Sequence, residues 1–375
     1  MEMTETERFT SEAITGTIRA FKFPLADEEL NALKEAFESG WIGTGIFRKL
    51  FEQRFAQFID RNFCVATNSG TAALHLALRV LDVEGAEVIT TSLTFIATNH
   101  AILYNHAIPV FCDVENDTGN IDPRKIPECI TKKTKVILVV HLNGHACDME
   151  PILEIAKKNN LFVVEDACQA LGSFYKEKKL GSLGDLGCFS FGSKNITTVD
   201  GGVVVCNRAD WRQRLMQLRH LGIKGNEGVE HDVEELGFQY GMNDIAAVIG
   251  LTQMKRWESM QARRMEIIKR FQEDLKDLSY VAIQTEEPET KNGWPVVPLR
   301  VTEGKMEALG TFLKQRGIHT DVIYPNHLYQ LYKPYYRRLP IAEAIWKEIL
   351  CLPLYPSLQD SEVGRMIDVI HEFRK

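Results

Sequence analysis

Three stretches of the chain place chemically able side chains at the end of an apolar run. The segment ATNSGTAALHLAL (66–78) passes through the small residues Ser69, Gly70, Thr71 and Ala72 directly into a helical pattern. At such a junction free main-chain N–H groups, a hydroxyl and the positive end of a helix dipole converge, which makes an anion site without any lysine. Taken alone, S-G-T is more often a capped helix start. In LFVVEDACQALGS (161–173) an apolar run ends on Glu165 and Asp166. A carboxylate there either caps the next helix or pairs with a cationic ligand atom, and alone capping is the commoner use. The segment CFSFGSKNITTVDGGVVVC (188–206) sets Lys194 in a polar turn between two apolar runs. A solitary loop lysine is ordinarily just solvated. The combination says more than its parts. An anion cradle, a carboxylate able to keep a pyridine nitrogen protonated and an amine able to condense with an aldehyde are what pyridoxal 5′-phosphate (PLP) requires of a protein.

These pieces need strands to carry them. Between residues 63 and 206 seven β-rich runs (63–67, 87–91, 109–114, 135–141, 161–166, 187–191 and 201–206) alternate with amphipathic segments such as 71–81 and 149–159. That alternation predicts a mostly parallel seven-stranded sheet with helices on both faces, in which ligands sit at the carboxyl ends of the strands. A long helical stretch is expected over 243–275. A smaller α+β lobe follows, with strands at 294–301 and 319–324, helices at 305–317, 341–349 and 360–374, and a loop at 284–293. The expected division is an N-terminal arm with a large domain over 1–243, and a linking helix with a small domain over 244–375.

Other readings of an alternating chain are excluded. No G-x-G-x-x-G follows the first strand, since GTG at 43–45 precedes the sheet, and no G-x-x-x-x-G-K-[ST] occurs. His141 and His145 have zinc-like spacing but sit at a strand end without an intervening H-E-x-x-H glutamate, so no metal site is expected. The 44 Lys and Arg against 51 Asp and Glu give a net charge of −7, which argues against binding nucleic acid or an anionic membrane surface. The eight scattered cysteines form no C-x-x-C pair, and no apolar segment behind positive charge opens the chain, so a reduced cytoplasmic protein is expected.

The ordered blocks ESGWIGTG (38–45), TSLTFIATNHAI (91–102), VHLNGHACDMEPILEIAKKNNLFVVEDACQALGS (140–173), FSFGSKNITTVDGG (189–202), GMNDIAAVIGLTQM (241–254) and LPLYPSL (352–358) resemble the DegT-type sugar aminotransferases. These are PLP enzymes of fold type I with a three-layer α/β/α large domain and a smaller α+β C-terminal domain. The resemblance implies that Lys194 is the Schiff-base lysine and proton carrier, that Asp166 holds the pyridine nitrogen protonated, and that Gln169 binds the ring hydroxyl side. It implies that Phe95 stacks on the ring and that Gly70, Thr71, Ala72 and Ser190 bind the phosphate. His327 and Tyr324, in DVIYPNHLY, match the place where members close over the substrate.

Some positions depart from the family pattern. Ser190 is one residue nearer the lysine than usual, so either Ser190 or Ser193 is the phosphate serine. T-T-V-D-G-G replaces T-T-G-E-G-G, and Gly241 stands where members reach across to the neighbouring subunit's phosphate, leaving Gln239 or Asn243 as substitutes. The implied reaction is ping-pong transamination, with glutamate as donor, pyridoxamine 5′-phosphate (PMP) as intermediate and a keto sugar as acceptor, in a homodimer with shared sites. A nucleotide-linked 3- or 4-keto-6-deoxy sugar is the leading acceptor; a free keto sugar, keto-sugar acid or cyclitol is the alternative. A PMP-dependent dehydratase or a non-catalytic regulator fits less well, because the lysine, aspartate and glutamine are all retained. A nucleotide's diphosphate leads us to expect arginine or lysine near the site entrance.

Overall fold

A computed structural model describes residues 16–192, 195–224 and 232–373. Strands β1 (Phe63–Thr67), β2 (Glu87–Thr91), β3 (Ile108–Cys112), β4 (Thr134–Val140), β5 (Phe162–Asp166), β6 (Leu186–Ser190) and β7 (Gly202–Cys206) form one sheet among the described residues. Their order is β1-β7-β6-β5-β4-β2-β3. Only β7 runs against its neighbours, pairing antiparallel with both β1 and β6. Within this sheet, the pairs β6–β5, β5–β4, β4–β2 and β2–β3 are parallel.

The apolar runs are continuous because both sheet faces are covered. Successive side chains point to opposite faces. Ile137, Val139, Val163, Val203 and Val205 therefore join a core with Phe51, Phe55 and Phe189 on one face. Val136, Leu138, Val164 and Val204 join Leu74, Leu76 and Leu78 on the other. The first helices, α1 (Asp27–Glu38) and α2 (Ile46–Phe58), precede the sheet, and α3 (Gly70–Arg79), α4 (Ile96–Tyr104), α5 (Met149–Asn159) and α6 (Ala209–Arg219) lie between its strands or follow them.

The stretch expected as one helix over 243–275 is two, α7 (Asp244–Lys255) and α8 (Trp257–Leu275). They break at Arg256, whose backbone leaves the helical region and whose guanidinium binds Glu29 of α1 and the carbonyl of Pro24. Ala247 of α7 packs in the large-lobe core, whereas Ile267, Ile268 and Phe271 of α8 pack in the small-lobe core together with Ile18 from the N-terminal segment.

The small lobe is an antiparallel sheet of β8 (Val281–Ile283), β9 (Val297–Val301) and β10 (Ile349–Leu352), covered by α9 (Met306–Gln315) and α11 (Asp360–Phe373). Two expectations are corrected here. Residues 319–324 form no strand; they touch the sheet only through the bridge between Asp321 and Cys351, because the Asp321 carboxylate accepts from the N–H of Val322 and turns the chain away. The third strand comes instead from Ile349–Leu352, and the helix expected over 341–349 shortens to α10 (Pro340–Ile345). A short, wholly buried apolar run reads the same in either state until its neighbours are known.

Candidate active site

The carboxyl ends of β1, β5 and β6 open on a cleft of about 520 Å³ between the lobes. Gly70, Thr71, Phe95, Asp166, Gln169 and Ser190 all line it. Six of the site residues expected from sequence therefore meet, although they lie up to 120 positions apart in the chain. Lys194 and Ser193 lie outside the described residues.

The start of α3 is a capped helix N-terminus that opens on the cleft. Ser69 is the extended N-cap, and its Oγ accepts from the N–H of Ala72 at 3.1 Å. Ala72 is buried and its amide is committed to that cap, so it is the N–H groups of Gly70 and Thr71 that remain for a ligand. Gly70 has to be glycine. A Cβ there would fall 2.6 Å from the Cβ and 3.0 Å from the Oγ of Ser190, filling the cradle.

Asp166 ends β5, nearly buried, with Oδ2 accepting from Thr98 Oγ1 at 2.7 Å and Oδ1 from the N–H of Cys168 at 3.1 Å. Thr98 shares a second hydroxyl contact with Thr94 at 2.9 Å. The sequence marks these threonines only as polar neighbours of Phe95; their hold on the carboxylate needs the fold. Phe95, the N-cap residue of α4, is 66% exposed, so it is not the core phenylalanine its hydrophobicity suggests but a ring face offered to the cleft. Gln169 Oε1 accepts from the N–H of Asn143 at 2.9 Å, which pins its carbonyl and leaves its NH2 as donor.

His327 and Tyr324 are not among the residues lining the cleft. His327 is fully buried, its Nε2 3.2 Å from Glu343, and Tyr324 packs on Tyr329 and Trp346. The small lobe instead presents Pro295, Val296, Asp321 and Leu352 to the cleft. Among the described residues that line the cleft there is no lysine or arginine. Among the described lining residues the charged groups are Asp166, Asp200 and Asp321. An anion held by main-chain amides needs no lysine, so the acidic lining and the cradle are compatible.

The turn behind the lysine is strained. Val199, where the resembling family has glycine, sits at φ 70°, a left-handed conformation costing roughly 1–2 kcal/mol for a residue with a Cβ. Hydroxyls hold it there: Thr197 Oγ1 accepts from the N–H of Val199, and Thr198 Oγ1 donates to the carbonyl of Asp200, both at 2.8 Å. Asn243 Oδ1 caps α7 by accepting from Ala246, which leaves only its NH2 end for the phosphate role considered for it. Gln239 is exposed.

His141 and His145 are structural. His141 Nδ1 accepts from the N–H of Cys147 at 3.1 Å, so Nε2 carries the proton it shares with Glu165 at 3.0 Å. Burial pulls His145 down to about 4. Among the described residues no group of side chains forms a metal site, and no helix is long and apolar enough to cross a membrane.

An aromatic platform, a buried carboxylate held by a hydroxyl and an amide cradle in a cleft of this size fit PLP. The comparisons agree. Residues 24–371 match the DegT/DnrJ/EryC1/StrS aminotransferase family. The chain is 37% identical to GDP-perosamine synthase of Escherichia coli O157:H7, over 95% of this chain and 98% of that protein. Its fold is similar to that of Helicobacter pylori PseC, an aminotransferase of pseudoaminic acid biosynthesis (TM-score 0.91, 27% identity, 95% of this chain and 98% of that one). It is also similar to Streptococcus pneumoniae Spr1654 in its PLP form (TM-score 0.90, 29% identity, 95% and 99%) and in its PMP form. The chain belongs to the DegT/DnrJ/EryC1/StrS aminotransferase family and is a fold type I sugar aminotransferase that uses PLP, with PMP as intermediate.

Proposed function

We propose that the protein moves the amino group of glutamate onto a nucleotide-linked keto sugar for amino-sugar biosynthesis. The observation that carries this reading is the convergence of Phe95, Asp166 and the 69–71 cradle on one cleft in a chain of this family. When bound, PLP supplies a conjugated ring that draws off the electron pair released at the substrate carbon bearing the amino group. The chain's own residues do the rest. Lys194 Nζ takes the proton from that carbon and returns it on the other side of the exchange. Asp166, oriented by Thr98 and by the amide of Cys168, keeps a proton on a ring nitrogen brought against it. The amides of Gly70 and Thr71, with Ser190 or Ser193, would hold the phosphate, Phe95 would stack on the ring and the Gln169 NH2 would donate to the ring hydroxyl.

His327, buried, and Tyr324, half-buried against Tyr329 and Trp346, would contact the acceptor only by a rearrangement of their segment. The name of GDP-perosamine synthase supports a nucleotide-linked acceptor, whereas the acidic lining of the cleft favours an acceptor without a diphosphate, such as a keto-cyclitol or free keto sugar. Exposed Leu30, Phe37, Trp41 and Ile46 give the N-terminal helices an apolar surface suited to a second copy of the chain, and we assign the protein as a homodimer. Its eight cysteines are all free, as suits the cytoplasm.

The test is incubation with glutamate and matched panels of nucleotide-linked and free keto acceptors, following 2-oxoglutarate. Stoichiometric 2-oxoglutarate with a nucleotide-linked member alone supports the reading. Turnover restricted to free acceptors moves the assignment to the second class, and a deoxygenated product without 2-oxoglutarate sinks transamination.

A further inference from the structure

One side chain of α8 enters the large lobe and has no part in the chemistry above. Arg264 is 1% exposed, and among the described residues no carboxylate lies within ion-pair reach of it. Its Nη2 donates to the carbonyl of Asn195 at 2.6 Å and its Nη1 to Met260 in its own helix at 3.4 Å, while Nε has no partner. Burial pulls the guanidinium down to about 10, the mark of a cation held without a counter-ion. An apolar side chain of similar length would fill the space without that penalty, so the charge at this position calls for a reason other than stability.

The reason is what it touches. Asn195 is covalently next to Lys194 and is itself buried, and its Nδ2 donates to the carbonyls of Leu171 at 3.2 Å and Gly293 at 2.6 Å. Leu171 follows Gln169 in the loop after β5, and Gly293 leads into Pro295 and Val296, so both partners belong to segments that line the cleft. Gly293 cannot carry a side chain, since a Cβ would fall 2.1 Å from the Leu171 carbonyl, and its N–H is held by Ser173 Oγ at 2.8 Å. The base of the 191–201 turn is closed separately, by the N–H of Phe191 on Gly201 and that of Thr198 on Phe191.

We propose that Arg264 and Asn195 are positioning residues that fix the main chain beside Lys194, so that a helix of the small lobe sets where the lysine amine meets the cofactor. This rests on the reading of Lys194 given above. With the knot in place the turn is tied not only at its base but also at Asn195, next to the lysine.

The two cofactor forms separate positioning from general support. With PLP, the Lys194 amine nitrogen and the aldehyde carbon form a C=N bond and one water leaves; PMP has no aldehyde and reports the cleft alone. In the full-length protein, Arg264→Met is expected to weaken PLP binding about tenfold, the worth of one charge-assisted hydrogen bond, and to leave PMP binding within roughly twofold. Arg264→Lys keeps the charge but loses the fork and should fall between. Asn195→Ala, approached from the other side of the knot, should repeat the PLP-selective loss and serves if Arg264→Met does not fold. Parallel weakening of PLP and PMP, or no change in either, overturns the proposal. A wild-type protein that binds PMP but does not trap PLP on Lys194 under borohydride would instead overturn the reading of Lys194 itself.

Discussion

Glu165 and Asp166 are neighbours at the end of β5, yet they serve opposite regions of the molecule. The region around Glu165 is closed. Its carboxylate is fully buried and accepts from His141 and from the N–H groups of Gly181, Leu183 and Gly184 at 2.6–3.0 Å. Burial opposes its charge, but the hydrogen bonds from His141 and from the amides of Gly184 and Gly181 outweigh it and hold the carboxyl below its usual range. The region around Asp166 is open, with two donors on its carboxylate and a face on the cleft. Two carboxylates at adjacent positions thus meet a closed polar cluster and an open cleft, because adjacent side chains on a strand leave by opposite faces.

The comparison breaks first at Asp166. Asp166→Asn keeps shape and the Thr98 contact but removes the charge, and steady-state assay should show transamination falling by about 10²–10³, the scale of losing a preorganised electrostatic partner. Its unfolding should change by about 1 kcal/mol, the worth of one hydrogen bond at its carboxylate; a folded variant with undiminished turnover would erase the distinction.

Glu165→Gln should do the reverse. Urea unfolding is expected to show a loss of about 3 kcal/mol, as when one partner leaves a buried polar cluster, with turnover nearly unchanged in the folded fraction. The pH dependence sharpens it. Because the folded carboxyl is held low, its contribution is fully present above the unfolded value of about 4.3 and disappears as pH falls through the folded one. Wild type should therefore lose stability relative to Glu165→Gln on acidification below that value, and a constant difference down to pH 3 would contradict the assignment.

The smallest effect belongs to Phe95. Since the ring is mostly exposed, Phe95→Ala should leave unfolding unchanged and weaken cofactor binding roughly 3–10-fold, the worth of one aromatic stack of about 0.5–1.5 kcal/mol. Titration of the apoenzyme checks it, and a drop in stability without weaker binding would return Phe95 to the core.

Much of this was legible from residue order. Strands buried on both faces announce themselves as continuous Val and Ile runs, and a strand that enters a helix through Ser69, Gly70 and Thr71 announces an anion site. The stretch 319–324 has the β-branched residues of a strand, yet it meets the outer edge of β10 only at Asp321 and Cys351, because the chain turns at Val322. Arg264 occupies the buried stripe of α8 with Met260, Ile267, Ile268 and Phe271, a position at which the helical period marks an arginine as out of place.

The sequence by itself determined the sheet, the cradle and the cofactor chemistry, since each follows from local periodicity or from residue types at a strand end. Tertiary structure alone decided that Glu165 is closed in by main-chain amides while Asp166 lines the cleft, that His327 does not, and that a buried arginine of the small lobe binds the carbonyl of Asn195. Those depend on which faces and carbonyls meet across separations of 16 to 98 residues, and burial and hydrogen bonding act on neighbours in space, which spacing along the chain does not encode.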